Sequence, residues 1–332
     1  MQRLTWHRII ILLTMALCQF AVLPASAQGQ SRPITLMMQW TPQAQFAGYY
    51  VALDKGFYRQ RGLDVRIEHG GPDKNPLADL RDGRVTFTTM FLSSALVARG
   101  QGAPLINCAQ IVNQSTLMVV AWRDRGITRL EHLNRRPVSI WGGDFRAPFI
   151  GLFNSKKISP HIYTQNYSVN LFLHHGVDAC SAMYYNEYHM LYQAGVNPDE
   201  ITAFFLRDYG CGIPEDGIYG LEQTYRDNPQ MCTAIGEASL EGWRYANTHQ
   251  QEALDIVMKY ARRAHVPTNR AHQTWMLRTI LPAILPANTS SWSPGILSRG
   301  DFQRAVSLVA SQLQVRRVPD YPAFCKGVSH AP

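Results

Sequence analysis

The feature that most constrains this 332-residue chain is an alternation of short strand-like runs with helical segments that holds from residue 34 to residue 206 and then stops. Ile-Thr-Leu-Met-Met at 34–38 reads as a first strand, and 44–55 has helical character closed by Gly56. Residues 63–68 alternate as a strand does, with the turn signal Gly70-Gly71-Pro72 behind them. Helices suit 76–81 and 92–99, and strands suit 85–89, 105–110 and 117–121. A second run starts near Arg123, with strands expected at 138–141, 162–167, 179–183 and 202–206. Such alternation implies an α/β protein with helices on both faces of each sheet. Beyond Ile218 the pattern turns helical, over 221–225, 229–248, 251–264 and 269–281, with Leu240, Trp243, Leu254, Val257 and Tyr260 at helical spacing.

Residues 1–27 read as a cleavable export signal. Arg3, His7 and Arg8 precede an apolar stretch from Ile9 to Leu23, which ends at Pro24 and the small-residue site Ala25-Ser26-Ala27. The stretch is interrupted and shorter than the roughly 20 apolar residues a membrane span needs. A lipid attached at Cys18 would need a small residue before it, and Leu17 is large. The roughly 300 residues that follow are too many for one simple core, so two lobes are expected. The boundaries read as 28–120 for the first part of lobe one, 121–219 for lobe two, and 220–332 for a helical return to lobe one with a C-terminal segment. Two crossovers would then join the lobes around a ligand cleft.

The formal net charge is +8, and losing Arg3 and Arg8 leaves +6. The basic residues are scattered, which suits a solvated surface and excludes nucleic acid as a partner. Five cysteines remain beyond the leader, Cys108, Cys180, Cys211, Cys232 and Cys325, and their spacing assigns no disulfide. The histidines show no H-E-x-x-H spacing, no G-x-S-x-G elbow occurs, and Gly100-Gln101-Gly102 lacks the third glycine of a dinucleotide fingerprint.

Specific blocks go further. Gln39-Trp40-Thr41-Pro42-Gln43-Ala44-Gln45-Phe46-Ala47-Gly48-Tyr49-Tyr50, then Lys55-Gly56-Phe57-Tyr58, Leu92-Ser93-Ser94-Ala95, Trp141-Gly142-Gly143-Asp144-Phe145, Tyr185-Asn186-Glu187-Tyr188 and Glu215-Asp216-Gly217-Ile218-Tyr219 stand in order along the chain. Together they resemble the NMT1/THI5-like (SsuA/THI5-like) substrate-binding proteins of ABC transporters. The resemblance implies the type 2 periplasmic-binding-protein fold, a periplasmic monomer, a small-molecule ligand, and permease subunits as partners. It also implies a ligand class: thiamine pyrimidine precursors among the nearest relatives, and sulfonates, nitrate or flavins in the wider group.

On that basis Trp40 offers a flat face for a planar ring, with Tyr49 and Tyr50 as further aromatic candidates. Gln43 and Gln45 supply donors and acceptors suited to a nitrogen-rich ring, and Gln110 belongs to the same set of contacts. Trp141, Gly142, Gly143 and Asp144 form a lobe-two turn where backbone can approach the ligand. Tyr185, Asn186 and Glu187 bring a carboxylate to a strand end. Compact anions would instead call for arginine or clustered N–H donors, and Arg146 stands beside the glycine turn. The same resemblance covers a eukaryotic thiamine pyrimidine synthase, which implies a lysine carrying pyridoxal phosphate, a histidine consumed in the reaction and a run of cysteines. Aligned on Arg84–Phe87, those positions fall near Met90, Ser94 and Gly210-Cys211-Gly212. A Schiff base needs an amine, which methionine lacks. The expectation is a binding protein with no catalytic residue, no cofactor and no metal, serving an importer or, as the alternative, acting as a periplasmic sensor that feeds a separate receptor kinase.

Overall fold

The computed structural model describes residues 33–287, 293–310 and 320–328. The expected export signal at 1–27 lies outside them. Among the described residues there are ten strands: β1 Ile34–Met38, β2 Val65–His69, β3 Phe87–Phe91, β4 Leu105–Gln110, β5 Leu117–Trp122, β6 Pro137–Trp141, β7 His161–Gln165, β8 Ala179–Met183, β9 Ile201–Phe205 and β10 Asp216–Leu221. They form two five-stranded sheets of order β2-β1-β3-β10-β4 and β7-β6-β8-β5-β9. In each sheet one strand runs against its neighbours, β10 between β3 and β4, and β5 between β8 and β9. The two sheets therefore share one topology, and each receives its antiparallel strand from a segment that has just left the other lobe.

β3, β4, β5 and β8 are buried along their whole length. That is what helices on both faces require, and it explains why these strands read as apolar runs rather than alternations. In lobe one the helix Ala47–Asp54 crosses the long helix Pro229–Thr248 at a glycine pair. A Cβ on Gly242 would lie 2.0 Å from the carbonyl oxygen of Gly48, so only glycine allows backbone-to-backbone contact there. Trp243 is wholly buried beside the crossing and meets the Tyr49 ring edge-on at 6.2 Å. Among the described residues, no helix is long and apolar enough to cross a membrane.

Two lobe boundaries move from those expected. Residues 117–121, counted largely with lobe one, form β5 and pair with β8 and β9 of lobe two. Residues 216–219, counted with lobe two, open β10 of lobe one. No strand was expected at β10, because Asp-Gly-Ile-Tyr-Gly-Leu carries two glycines and little β propensity. Its slot decides: a Cβ at Gly217 would meet Asn107 Nδ2 at 2.9 Å and Ala109 O at 3.0 Å, so a larger residue would not fit.

The crossovers run side by side and are stapled together. The Gln110 amide nitrogen donates to the carbonyls of Val112, Glu215 and Asp216 at 2.9–3.2 Å. The Glu215 carboxylate in the second crossover accepts from the Thr116 amide, the Thr116 hydroxyl and the Ser115 hydroxyl in the first. Glu215 is buried, and burial pushes its carboxyl up to about 8, against the pull of the Thr116 amide.

Candidate functional site

The carboxyl ends of β1, β3, β6, β7 and β8 face one cleft between the lobes, with a volume of about 620 Å³. This is where open α/β sheets place ligands, and the size is that of a small-molecule pocket. Lobe one contributes Gln39, Trp40, Gln43, Gln45 and Phe91; lobe two contributes Trp141, the turn Gly142-Gly143, Phe145, Gln165, Tyr167, Asn186 and Glu187. Aromatic rings meet across the gap. Trp40 lies 5.0 Å from Tyr167 with ring planes 34° apart, and Phe91 meets Phe145 edge-on at 4.6 Å.

The polar atoms are wired differently on the two walls. On lobe one, Asp216 at the start of β10 accepts from Gln39 Nε2 at 2.7 Å and from Gln45 Nε2 at 2.6 Å. Gln45 Oε1 in turn accepts from Gln43 Nε2 at 2.6 Å. Burial raises the Asp216 carboxyl to about 7, opposed by the two glutamine hydrogen bonds. On lobe two, Gln165 is bound into its own sheet: its nitrogen donates to Ser181 O, and its oxygen accepts from the Ser139 and Ser181 hydroxyls. Glu187 accepts from the Met183 amide and from Asn186 Nδ2, both at 2.9 Å, and burial raises it to about 7. The Trp141 indole N–H is buried with no partner among the described residues.

Residues 43–253 match the family described as NMT1/THI5 like. The chain belongs to the NMT1/THI5-like family. It is 22% identical over 278 residues to a formylaminopyrimidine-binding protein of Halalkalibacterium halodurans, covering 78% of this chain and 79% of that one. It is 23% identical over 309 residues to the riboflavin-binding protein RibY of Chloroflexus aurantiacus, covering 88% and 86%. Among solved structures, the periplasmic aliphatic sulphonate binding protein SsuA of Escherichia coli superposes with a TM-score of 0.63 at 11% identity, over 87% of this chain and 94% of SsuA. The fold is the type 2 periplasmic-binding-protein fold.

In this NMT1/THI5-like chain the cleft brings together Trp40, Gln43, Gln45, Trp141, Gly142, Gly143, Asn186 and Glu187 from the expected set. The Asp144 side chain lies outside the described residues. Four other expected contacts sit elsewhere. Tyr49 is core, against Trp243 and Phe46. Tyr50 stacks on Tyr260 of the helix Gln250–Arg263 at 4.4 Å. Tyr185 is wholly buried, and its hydroxyl has no partner among the described residues. Gln110 is a hinge staple. The two tyrosines face away because they lie on the side of helix Ala47–Asp54 that its neighbours Pro229–Thr248 and Gln250–Arg263 cover.

Sequence reasoning missed Gln39, Phe91, Phe145, Gln165 and Tyr167 as lining residues; Asp216 was readable only as a residue of either the site or a crossover, and it stands behind the wall. Position gave a signal for most of them: each of the first five stands at or just past the carboxyl end of a strand. The positions that a pyrimidine synthase would fill with lysine and histidine, Met90 and Ser94, both line the cleft, and Lys74 is the one lysine among its lining residues.

Proposed function

We propose that this chain is the solute-binding component of an ABC importer, working outside the cytoplasm, and that it closes on a planar nitrogen heterocycle such as a thiamine pyrimidine precursor. One observation carries the reading: the cleft is walled by flat aromatic rings, and its polar lining is mostly neutral amides and hydroxyls, with one carboxylate, Glu187, and a single lysine. Such a wall suits a ring bearing amino groups. A sulfonate or nitrate would call for several cationic or N–H donors. The two curated relatives bind a formylaminopyrimidine and riboflavin, both flat and rich in nitrogen. Permease subunits would receive the closed form, whose two lobes are held by the stapled crossovers.

A thermal-shift screen of the secreted form tests this. Aminopyrimidines or riboflavin should raise the melting temperature, since a ligand that binds only the folded state stabilises it. Stabilisation by riboflavin alone would move the ligand from a pyrimidine to a flavin. Stabilisation by taurine, alkanesulfonates or nitrate alone would overturn the heterocycle reading.

A further inference from the structure

Every glutamine of the lobe-one wall traces back to one buried group. Asp216 is not itself among the lining residues, yet both of its oxygens are engaged by the wall. An ionised carboxylate only accepts hydrogen bonds, so an amide that faces it must present its nitrogen. Gln39 does so directly with one N–H of its amide, which leaves Gln39 Oε1 as an acceptor without a protein donor among the described residues. Gln45 does so too, and its oxygen is then turned to Gln43, whose nitrogen it takes. Gln43, which spends one N–H on Gln45, is left with Oε1 as its free acceptor. Among the described residues no protein donor reaches Gln39 Oε1 or Gln43 Oε1, and both side chains line the cleft. Three amides that could each have faced either way are set in one direction by one charge.

We infer that Asp216, without touching the ligand, is the positioning residue that fixes the polarity of the lobe-one wall, turning carbonyl oxygens toward the ligand and selecting ligands whose facing edge carries N–H donors. This rests on the reading of the cleft as a site for a nitrogen heterocycle. The wiring has a sharp consequence for Asp216→Asn. An asparagine there accepts through one atom and donates through the other, so it cannot take both glutamine nitrogens. One glutamine must turn over. If Gln39 turns, its own nitrogen faces the cleft. If Gln45 turns, its nitrogen points at Gln43, which must then accept and present its nitrogen instead. Either way one of the two carbonyls on the wall becomes an NH₂ group.

Protonation of Asp216 does the same thing in the native chain, because the neutral acid donates through one oxygen. Its carboxyl is held near pH 7 by burial, with the Gln45 and Gln39 bonds pulling it down. The titratable groups that face it are Glu215, Tyr49, Tyr185 and Tyr219, whose own ionisation its charge opposes. No lysine, arginine or histidine pairs with it among the described residues.

Two measurements test the inference. Calorimetric titration with 4-amino-5-hydroxymethyl-2-methylpyrimidine and its 4-oxo counterpart compares a donor with an acceptor at the same ring position. The native protein should prefer the amino form by about tenfold or more, and Asp216→Asn should erase or reverse that preference, since a buried polar mismatch is strongly rejected. An unchanged ratio in the variant overturns the inference. The second readout needs no ligand and no variant: the side-chain amide resonances of Gln39 and Gln45, followed by NMR from pH 5 to pH 9. Both should shift together through one transition near pH 7, and Gln43 should follow. Amides that ignore pH overturn the inference even if a pyrimidine binds. If neither pyrimidine binds while the amides titrate together, the pyrimidine reading fails and the positioning role of Asp216 stands.

Discussion

The two walls of the cleft are built on the same five-strand order, yet they carry their polar groups in opposite ways. In lobe one the inserted strand, β10, begins with a carboxylate that accepts from two glutamines, one of which in turn holds a third. In lobe two the inserted strand, β5, begins with Leu117 and offers the wall nothing polar. Its glutamine, Gln165, is instead closed off by two serines of its own sheet. Lobe two keeps its charge at the start of a helix, on Glu187. One topology thus yields a wall whose polarity hangs on one buried acid and a wall whose amide is fixed by neutral partners. Fold fixes where the ligand sits, and only the residues at strand ends fix what it can be.

The largest effect should come from the element both walls share. Glu215→Ala removes the acceptor that ties the second crossover to Ser115 and Thr116, and leaves a buried amide and two hydroxyls without it. Denaturant unfolding at pH 6 should show a loss of about 3 kcal/mol. Glu215→Gln keeps one acceptor oxygen and should lose about 1 kcal/mol. The pH dependence separates the charge from the shape. A carboxyl raised to about 8 holds its proton more tightly folded than unfolded. Its contribution is fully present below the ordinary carboxylate value and fades as pH rises through 8. Native stability should therefore decline between pH 5 and pH 8, with Asp216 and Glu187 adding to the decline in the same sense, and Glu215→Gln should make the slope shallower. His272, lowered to about 4 by burial and by His189, acts in the opposite sense between pH 4 and pH 6.5, so the slope is best read above pH 6.5. A hinge indifferent to both changes would mean the lobes are held by something other than this clip.

Next come the two tryptophans, one per wall. Trp40→Ala and Trp141→Ala should each weaken binding by about 10- to 100-fold for whichever probe the thermal screen selects, while leaving unfolding almost unchanged. The difference between them is informative. Trp141 has a buried N–H without a partner among the described residues, so Trp141→Phe should lose affinity only if the ligand supplies an acceptor there. Glu187→Gln follows at about tenfold, the worth of trading a charged acceptor for a neutral one. If Glu187→Gln were neutral and Asp216→Asn were not, the ligand's donors would all face lobe one.

The sequence made the frame legible because apolar strands and helix spacings are local. Leu105–Gln110, Ala179–Met183, Pro76–Arg81 and Pro229–Thr248 fall where residue patterning alone puts them. What stayed hidden depends on partners far along the chain. β10 has the residues of a turn and becomes a strand because β3 and β4 leave it a glycine-sized slot. Tyr49 and Tyr50 look like ligand groups until helices from residues 229–263 cover them. Gln110 and Asp216 show the same limit for the site: a glutamine can staple a hinge or line a wall, and only the fold decides which. That the tryptophans and Glu187 line the cleft was readable, because they stand at or just past strand ends.

The smallest expected effect tests whether the two walls touch as a latch. Tyr167 follows β7, an edge strand whose residues 161–164 are exposed, and its own side chain is 55% exposed. Its ring faces Trp40 across the cleft mouth, and its hydroxyl donates to Pro72 O at 3.4 Å. That hydrogen bond is long and wet, so Tyr167→Phe should change affinity by about 0.5 kcal/mol or less. Tyr167→Ala removes the ring as well. An exposed aromatic pair is worth about 1 kcal/mol, which would appear almost wholly as faster ligand release, since the pair forms only when the lobes meet. Stopped-flow tryptophan fluorescence is suited to this, because Trp40 sits in the contact and should report its loss. A roughly fivefold faster release in Tyr167→Ala, with an unchanged association rate and no effect in Tyr167→Phe, is the expected pattern. A slower association rate instead would place Tyr167 in the encounter of ligand with the open cleft, and the contact with Trp40 would then be a consequence of closure rather than a part of what holds it.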